Sequence, residues 1–178
     1  MDQKKQKHKG LGLLILALVL IAAALGYFLL AGPSAKSQTG DLTCTVSISC
    51  ASIPDHMELC KAEKQSLVPA DGWILQPVEA AFTEGESVFD VLQRVCRENK
   101  IHMEFTDTPL YQSAYIEGIA NLYEFDCGDR SGWMYKVNDW FPNYGCSRYE
   151  LQDGDTVEWV YTCELGDDVG GGYAAEGE

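Results

Sequence analysis

Residues 131–138, Ser131-Gly132-Trp133-Met134-Tyr135-Lys136-Val137-Asn138, and residues 151–161, Leu151-Gln152-Asp153-Gly154-Asp155-Thr156-Val157-Glu158-Trp159-Val160-Tyr161, carry the reading of the fold. In the first, Trp133 to Val137 reads as a strand on which Trp133 and Tyr135 share one face. Asn138-Asp139 then provides two residues that tolerate positive φ, a weaker hairpin signal than Asn-Gly. In the second, the Asp153-Gly154-Asp155 turn leads into a strand from Thr156 to Thr162. Val157, Trp159, Tyr161 and Cys163 fall on one side of it and are expected in a core.

Working outward, Cys44, Val46, Ile48 and Cys50 alternate with Thr43, Thr45, Ser47 and Ser49, which predicts a half-buried strand over 42–50. Asp55 is expected to cap a short helix running to about Gln65, ended by Pro69 and the Asp71-Gly72 turn. Trp73 to Phe82 reads as a second strand, with Pro77 marking an edge or a bulge. Ser87 and Asp90 form a capping-box pattern, and Val88, Val91, Leu92, Val95 and Cys96 follow at helical spacing to about Asn99. This helix needs a sheet to cover its apolar stripe. Ile101 to Phe105 and Ala114 to Ile119 are further strand candidates.

The 178 residues include 13 Lys+Arg and 27 Asp+Glu, a formal charge of −14. That balance excludes a nucleic-acid binder, which needs clustered cations to neutralise phosphates. Residues 11–31, LGLLILALVLIAAALGYFLLA, carry no charge and follow Lys4, Lys5, Lys7 and Lys9. Such a length spans a hydrocarbon core of about 30 Å as a helix. The expected organisation is a cytoplasmic basic tail (1–10), a transmembrane signal anchor (11–31), a linker (32–41), an extracellular domain (42–165) and a flexible acidic Gly-rich tail (166–178). The chain is thus expected as a single-pass protein of the cell membrane, with its N-terminus inside. Secretion after signal cleavage is the alternative, although the small-x-small sites near Ala31 and Ala35 are poor. Without the tail and anchor, the remainder carries a net charge of −17, which favours cationic, neutral or apolar partners.

All seven cysteines, 44, 50, 60, 96, 127, 146 and 163, follow the anchor. An outside location makes disulfides the default, and the odd count leaves at least one thiol over unless it pairs between chains. There is no C-x2-C pair and no histidine set, so no metal is expected. Cys60 is expected to be the free thiol. No catalytic residue is expected either: His56 and His102 lie in no nucleophile motif, and in Gly128-Asp129-Arg130-Ser131-Gly132 the arginine interrupts any likeness to a serine-protease loop. The aspartates at 126, 129, 153, 155, 167 and 168 lack the rhythm of an EF-hand loop.

The Gly-Glu-Ser-capped helix, the 131–138 run and the 151–161 run together resemble the transcobalamin-like C-terminal domain, DUF4430, in the cysteine-rich form found in surface proteins of gut Firmicutes. The resemblance implies an α+β fold, a beta-grasp-like mixed sheet with one main helix, here preceded by the N-terminal transmembrane helix. In such a fold the first and last strands run parallel, which implies the pairs Cys50 with Cys163, Cys44 with Cys96 and Cys127 with Cys146. The family's Asn-Gly at the hairpin is Asn138-Asp139 here, which implies a longer or wider turn. Transcobalamin-like proteins hold a corrinoid between two domains, so the resemblance implies that Asn138, Trp140, Phe141 and Tyr144 face a ligand. Exposed rings on a loop also mark binding surfaces in their own right. The expected function is a membrane-anchored extracellular ligand-binding module. It would bind or cap a cobalamin-like corrinoid together with a partner such as a membrane transporter, and no cofactor is required. The alternative is a cell-surface module that contacts a protein or a wall polymer and takes no small ligand.

Overall fold

A computed structural model describes residues 40–110 and 112–171. The basic tail, the anchor and most of the linker lie outside the described residues, as does the chain from 172 onward. Among the described residues no helix is long and apolar enough to cross a membrane.

The fold is mixed α+β, dominated by sheet. β1 (Leu42–Ser49), β2 (Trp73–Phe82), β6 (Gly132–Val137) and β7 (Thr156–Thr162) form a four-stranded sheet in the order β2-β1-β7-β6. β1 runs parallel to β7, with Val46 opposite Val157 and Ile48 opposite Trp159, while β2 and β6 pair antiparallel at the flanks. The alternation in β1 buries Cys44, Val46 and Ile48, and Cys50 just beyond it. Ser47 is buried as well. β1 sits between two neighbours, so its second face is only partly open to water. Pro77 lies on an edge strand, as its missing N–H requires. The β1–β2 register also shifts between Val46 and Ile48, where Ile48 faces Leu75, so the chain bulges around Gln76-Pro77.

The main helix, Val88–Glu98, has the expected cap. The Asp90 amide donates to Ser87 Oγ at 3.3 Å, and the Ser87 amide donates to Asp90 Oδ2 at 2.8 Å. Val88, Val91, Leu92, Val95 and Cys96 are all buried, in one cluster with Val46, Ile48, Val157 and Trp159 of the sheet. Each fully covered aliphatic side chain stabilises the fold by about 1.5–3 kcal/mol.

A second sheet, β3-β4-β5, is built from β3 (Met103–Thr108), β4 (Ser113–Ile119) and β5 (Leu122–Tyr123). β5 has two residues, too few to show a period in sequence.

Three expectations are corrected. Asp55 caps no helix: it lies inside a 3-10 stretch, Ile53–Leu59, which begins after Ser52 and is kinked at His56. That stretch stops at Cys60, which leaves it to pair with Cys127, and only Ala62–Gln65 continues as α-helix. The Asn138-Asp139 turn is neither longer nor wider. Both residues take positive φ, at 50° and 65°, and Val137 and Trp140 exchange backbone hydrogen bonds around them. Finally, the domain does not fray at Leu165. Asp167–Val169 forms a 3-10 turn, and the Asp168 carboxylate accepts from the Cys163 amide at 2.7 Å and from the Thr162 hydroxyl.

Candidate functional site

A concavity of about 410 Å³ opens where β4 passes the start of β6. Trp133 and Met134 form its floor, Tyr115 and Phe125 one side, and Leu165 the other. Tyr115, Phe125 and Leu165 are each about half exposed, at 48%, 53% and 49%. Large apolar side chains gathered around one depression in this way mark a contact surface more often than a packing fault.

Each wall is held by identifiable interactions. The Trp133 indole N–H donates to the Leu122 carbonyl at 2.8 Å, and its ring meets Tyr161 edge-on at 5.2 Å. Tyr115 donates its hydroxyl proton to Glu124. Burial first, and then that carboxylate, push the Tyr115 phenol up to about 12, so it stays neutral and able to donate. Phe125 sits at φ 62°, and its backbone N–H reaches the Ser131 carbonyl, which turns the ring outward. Arg130 secures the opposite rim. Its carbonyl accepts from Leu165, and its guanidinium lies 3.3 Å from Glu164 and 3.5 Å from Asp167.

Ser131, in the stretch like a protease loop, is buried. Its Oγ donates to the Gly128 carbonyl at 2.8 Å, accepts from the Cys127 amide at 3.1 Å and lies 3.0 Å from Tyr161 Oη. A hydroxyl so committed fixes the 127–131 turn. His102 Nε2 contacts Glu104 and Tyr123 at 2.8 and 3.2 Å, and neither is a nucleophile–base pair. Among the described residues no group of three or more His, Cys, Asp or Glu side chains is arranged to hold a metal ion.

The loop residues expected at a ligand are placed elsewhere, and none of them lines this cleft. Asn138 is a turn residue, bonded through its side chain to Asp155 and Thr156. Trp140 is 52% exposed and packs edge-on against Tyr144. Tyr144 stacks on Tyr149, and its carbonyl accepts from the Tyr135 hydroxyl at 2.9 Å. The Phe141 ring lies against Gly171, where an added Cβ would come within 2.8 Å of it. Phe141 therefore supports, from behind, a segment whose other side borders the cleft.

All seven cysteines are buried, and they divide between two clusters. Cys50 and Cys163 share an apolar cluster, but Cys60 and Cys127 belong to it too. Cys127 and Cys146 lie in different clusters, whereas Cys127 Sγ is 2.7 Å from Cys60 Sγ. Cys60, expected to be the free thiol, thus has another sulfur beside it. Cys44 and Cys96 share the main core, yet the Cys44 thiol points to the Ala80 carbonyl at 3.7 Å. Burial pushes Cys44 up to about 11 and Cys96 up to about 12.

A small α+β domain with one aromatic-walled cleft and a buried set of thiols is the class these features define. Residues 85–163 match the family described as Domain of unknown function (DUF4430), the family that the 131–138 and 151–161 runs resemble. The match takes in the main helix, all of β3 to β7 and the lining of the cleft except Leu165 and Gly171, but not β1 and β2. Two solved structures are similar at low identity. Haptocorrin in complex with Cbi aligns with 69% of this chain at 15% identity and a TM-score of 0.47; the alignment spans 26% of haptocorrin's own length. A protein of Ruminococcus gnavus ATCC 29149, described as a candidate metal-binding protein, aligns with 68% of this chain and 97% of its own, at 16% identity and a TM-score of 0.43. No curated protein matches the sequence.

Proposed function

We propose that this protein is a non-catalytic binding module, anchored to the cell membrane by residues 11–31, whose extracellular domain takes a largely apolar ligand in the Tyr115–Phe125–Trp133–Leu165 cleft. The observation that carries the reading is the cleft itself, with half-exposed Tyr115, Phe125 and Leu165 around a floor of Trp133 and Met134. At about 410 Å³ it is in the range of small-molecule sites, and Glu124 and Arg130 among its lining residues are the charged groups that can orient a ligand. The parallel pairing of β1 and β7 at the centre of a mixed sheet supports a beta-grasp-like reading of the fold.

A planar corrinoid of the cobalamin kind suits flat aromatic walls, and it is the ligand the transcobalamin-like resemblance implies. The cleft is open and would cover only part of a molecule that large. The function is therefore to cap or present it, with a second protein such as a membrane transporter closing the other side. The half-exposed Trp140, outside the cleft, favours the second reading: a surface module that meets a protein or wall polymer and takes no small ligand.

Titrating cobalamin into the purified full chain, while following the corrin visible spectrum and the tryptophan fluorescence, tests the choice. Binding should quench Trp133 and be weakened at least tenfold by Phe125→Ala with Leu165→Ala, while Trp140→Ala leaves it unchanged. No spectral change up to tens of micromolar ligand would overturn the corrinoid reading and leave the contact surface.

A further inference from the structure

We propose that Cys60 and Cys127 form a disulfide that clamps the 53–68 segment onto the turn carrying the cleft's Phe125 and Ser131. The backbone pairing and the approach of the two sulfurs support the bond. The two residues face each other as an isolated antiparallel bridge. The Lys61 amide donates to the Asp126 carbonyl at 2.8 Å, beside rather than between them, which makes Cys60 and Cys127 a non-hydrogen-bonded pair. In such pairs the Cα atoms come to about 4.5 Å and the side chains approach most closely, within the Cα range that a disulfide spans. Their sulfurs lie 2.7 Å apart, nearer than two unbonded sulfur atoms can rest, in a cluster sealed by Ile53, Leu122 and Tyr161.

The surroundings fix the same register. Asp126, next to Cys127, is 3.0 Å from the Lys61 ammonium and 3.1 Å from that of Lys64, and both lysines follow Cys60 closely in sequence. Gln65 Nε2 donates to the Cys60 carbonyl at 3.1 Å. Ile53 anchors the start of the segment in the same cluster, with Met57 and Val68 partly buried against it, whereas Ala62–Gln65 buries no residue and Leu59 and Leu67 are exposed. A covalent link at Cys60 would therefore tie down the more exposed middle of this segment.

Cys163 is the rival partner. It also sits against Cys127, and its contacts with Cys127 and Ser52 hold its thiol below the ordinary value despite burial. The 2.7 Å approach and the directly opposed backbone select Cys60.

Bond formation needs a disulfide oxidant, either a small glutathione-type disulfide or a protein disulfide. One cysteine thiolate attacks it, expels one thiol and becomes a mixed disulfide. The second thiolate then attacks the cysteine sulfur of that bond and expels the other thiol. Two electrons and two protons pass from the Cys60 and Cys127 thiols to the oxidant, which leaves as two thiols.

The test is peptide mapping of the full chain, purified without reductant, equilibrated with oxidised glutathione and blocked with N-ethylmaleimide in denaturant. Cleavage after acidic residues places Cys60, Cys127, Cys146 and Cys163 on four separate peptides. The expected product joins the Cys60 and Cys127 peptides, two hydrogens lighter than their sum, and disappears on reduction. A Cys60 peptide carrying maleimide, or a Cys127 peptide joined to that of Cys163 or Cys146, would overturn the proposal. As a second measurement, Cys60→Ser, Cys127→Ser and the double variant should lower the urea midpoint of the oxidised chain equally, because each removes the same bond. Additive losses would mean the two thiols act separately.

Discussion

Asn138 joins the two turns on which the reading of this fold depends. Its Nδ2 donates to Asp155 Oδ1 at 2.8 Å, and its Oδ1 accepts the Thr156 amide at 2.9 Å. The hairpin turn after β6 is thereby locked to the Asp-Gly-Asp turn before β7, and Asp155, itself buried, has one of its oxygens satisfied. Asparagine suits the position twice, since it also accepts φ 50° with less strain than most residues. Asn138→Ala should cost about 2–3 kcal/mol, the sum of an unsatisfied buried carboxylate oxygen and an unfavourable backbone. Asn138→Gly keeps the backbone and loses only the hydrogen bonds. Urea unfolding should therefore rank wild type, Asn138→Gly and Asn138→Ala in falling order, and equal losses for the two variants would show that the backbone term is negligible.

The capping box at the start of the main helix makes a smaller and cleaner prediction. Ser87 Oγ accepts from the Asp90 amide, which would otherwise have no intrahelical partner. Ser87→Ala should lower stability by about 1 kcal/mol, seen as a shifted denaturant midpoint with an unchanged slope. The same substitution should leave the cleft intact, because none of its lining residues comes from this helix.

What could be read from the sequence divides along physical lines. β1, β2, β6 and β7 each show an alternation set by one covered face, and the helix at Val88–Glu98 shows both its cap and its stripe; those signals are local. The stretch around Cys60 was misread because its shape depends on Cys127, a partner 67 residues away, which no local pattern reports. The cleft escaped for a similar reason. Tyr115, Phe125 and Leu165 come from three separate segments, and only the pairing of strands brings them together. The rings of the 138–144 loop, by contrast, are contiguous in sequence, and there Tyr144 stacks on Tyr149 and Phe141 lies against Gly171.

Close approach explains Gly145. Its φ of −70° suits any residue, so conformation is not the constraint. An added Cβ would lie 2.0 Å from Ser113 Oγ and 2.3 Å from Ser113 Cβ, and Ser113 is buried at the end of β4 with its Oγ accepting the Ser147 amide. Neither atom is the far end of a flexible chain. Gly145→Ala should therefore destabilise by about 1–3 kcal/mol through overpacking. Thermal unfolding would show it as a lower midpoint, and an unchanged midpoint would mean that the 145–148 turn can move away from β4.

Acid should loosen the domain at Asp126. Burial alone would raise its pKa, but the Tyr123 amide at 2.8 Å and the Lys61 and Lys64 ammonium groups outweigh it and hold the carboxyl below the usual range. Glu86 behaves alike, held down against burial by the Thr83 amide and by Arg94 at 2.5 Å. A carboxyl whose folded pKa is lowered contributes its full stabilisation above its unfolded pKa, about 4. That contribution fades as pH falls from there through the lower folded value, because protons then bind the unfolded chain preferentially. Urea midpoints should thus be flat from pH 7 to about 5 as far as these two groups are concerned, and should fall steeply below about 4. Asp126→Asn should already be less stable at pH 7, since it keeps the Tyr123 contact but loses the charge facing two lysines. Its midpoint should fall less between pH 5 and 3 than that of the wild type. A variant with the same acid slope as the wild type would remove Asp126 as a source of the pH dependence and leave Glu86 to account for it.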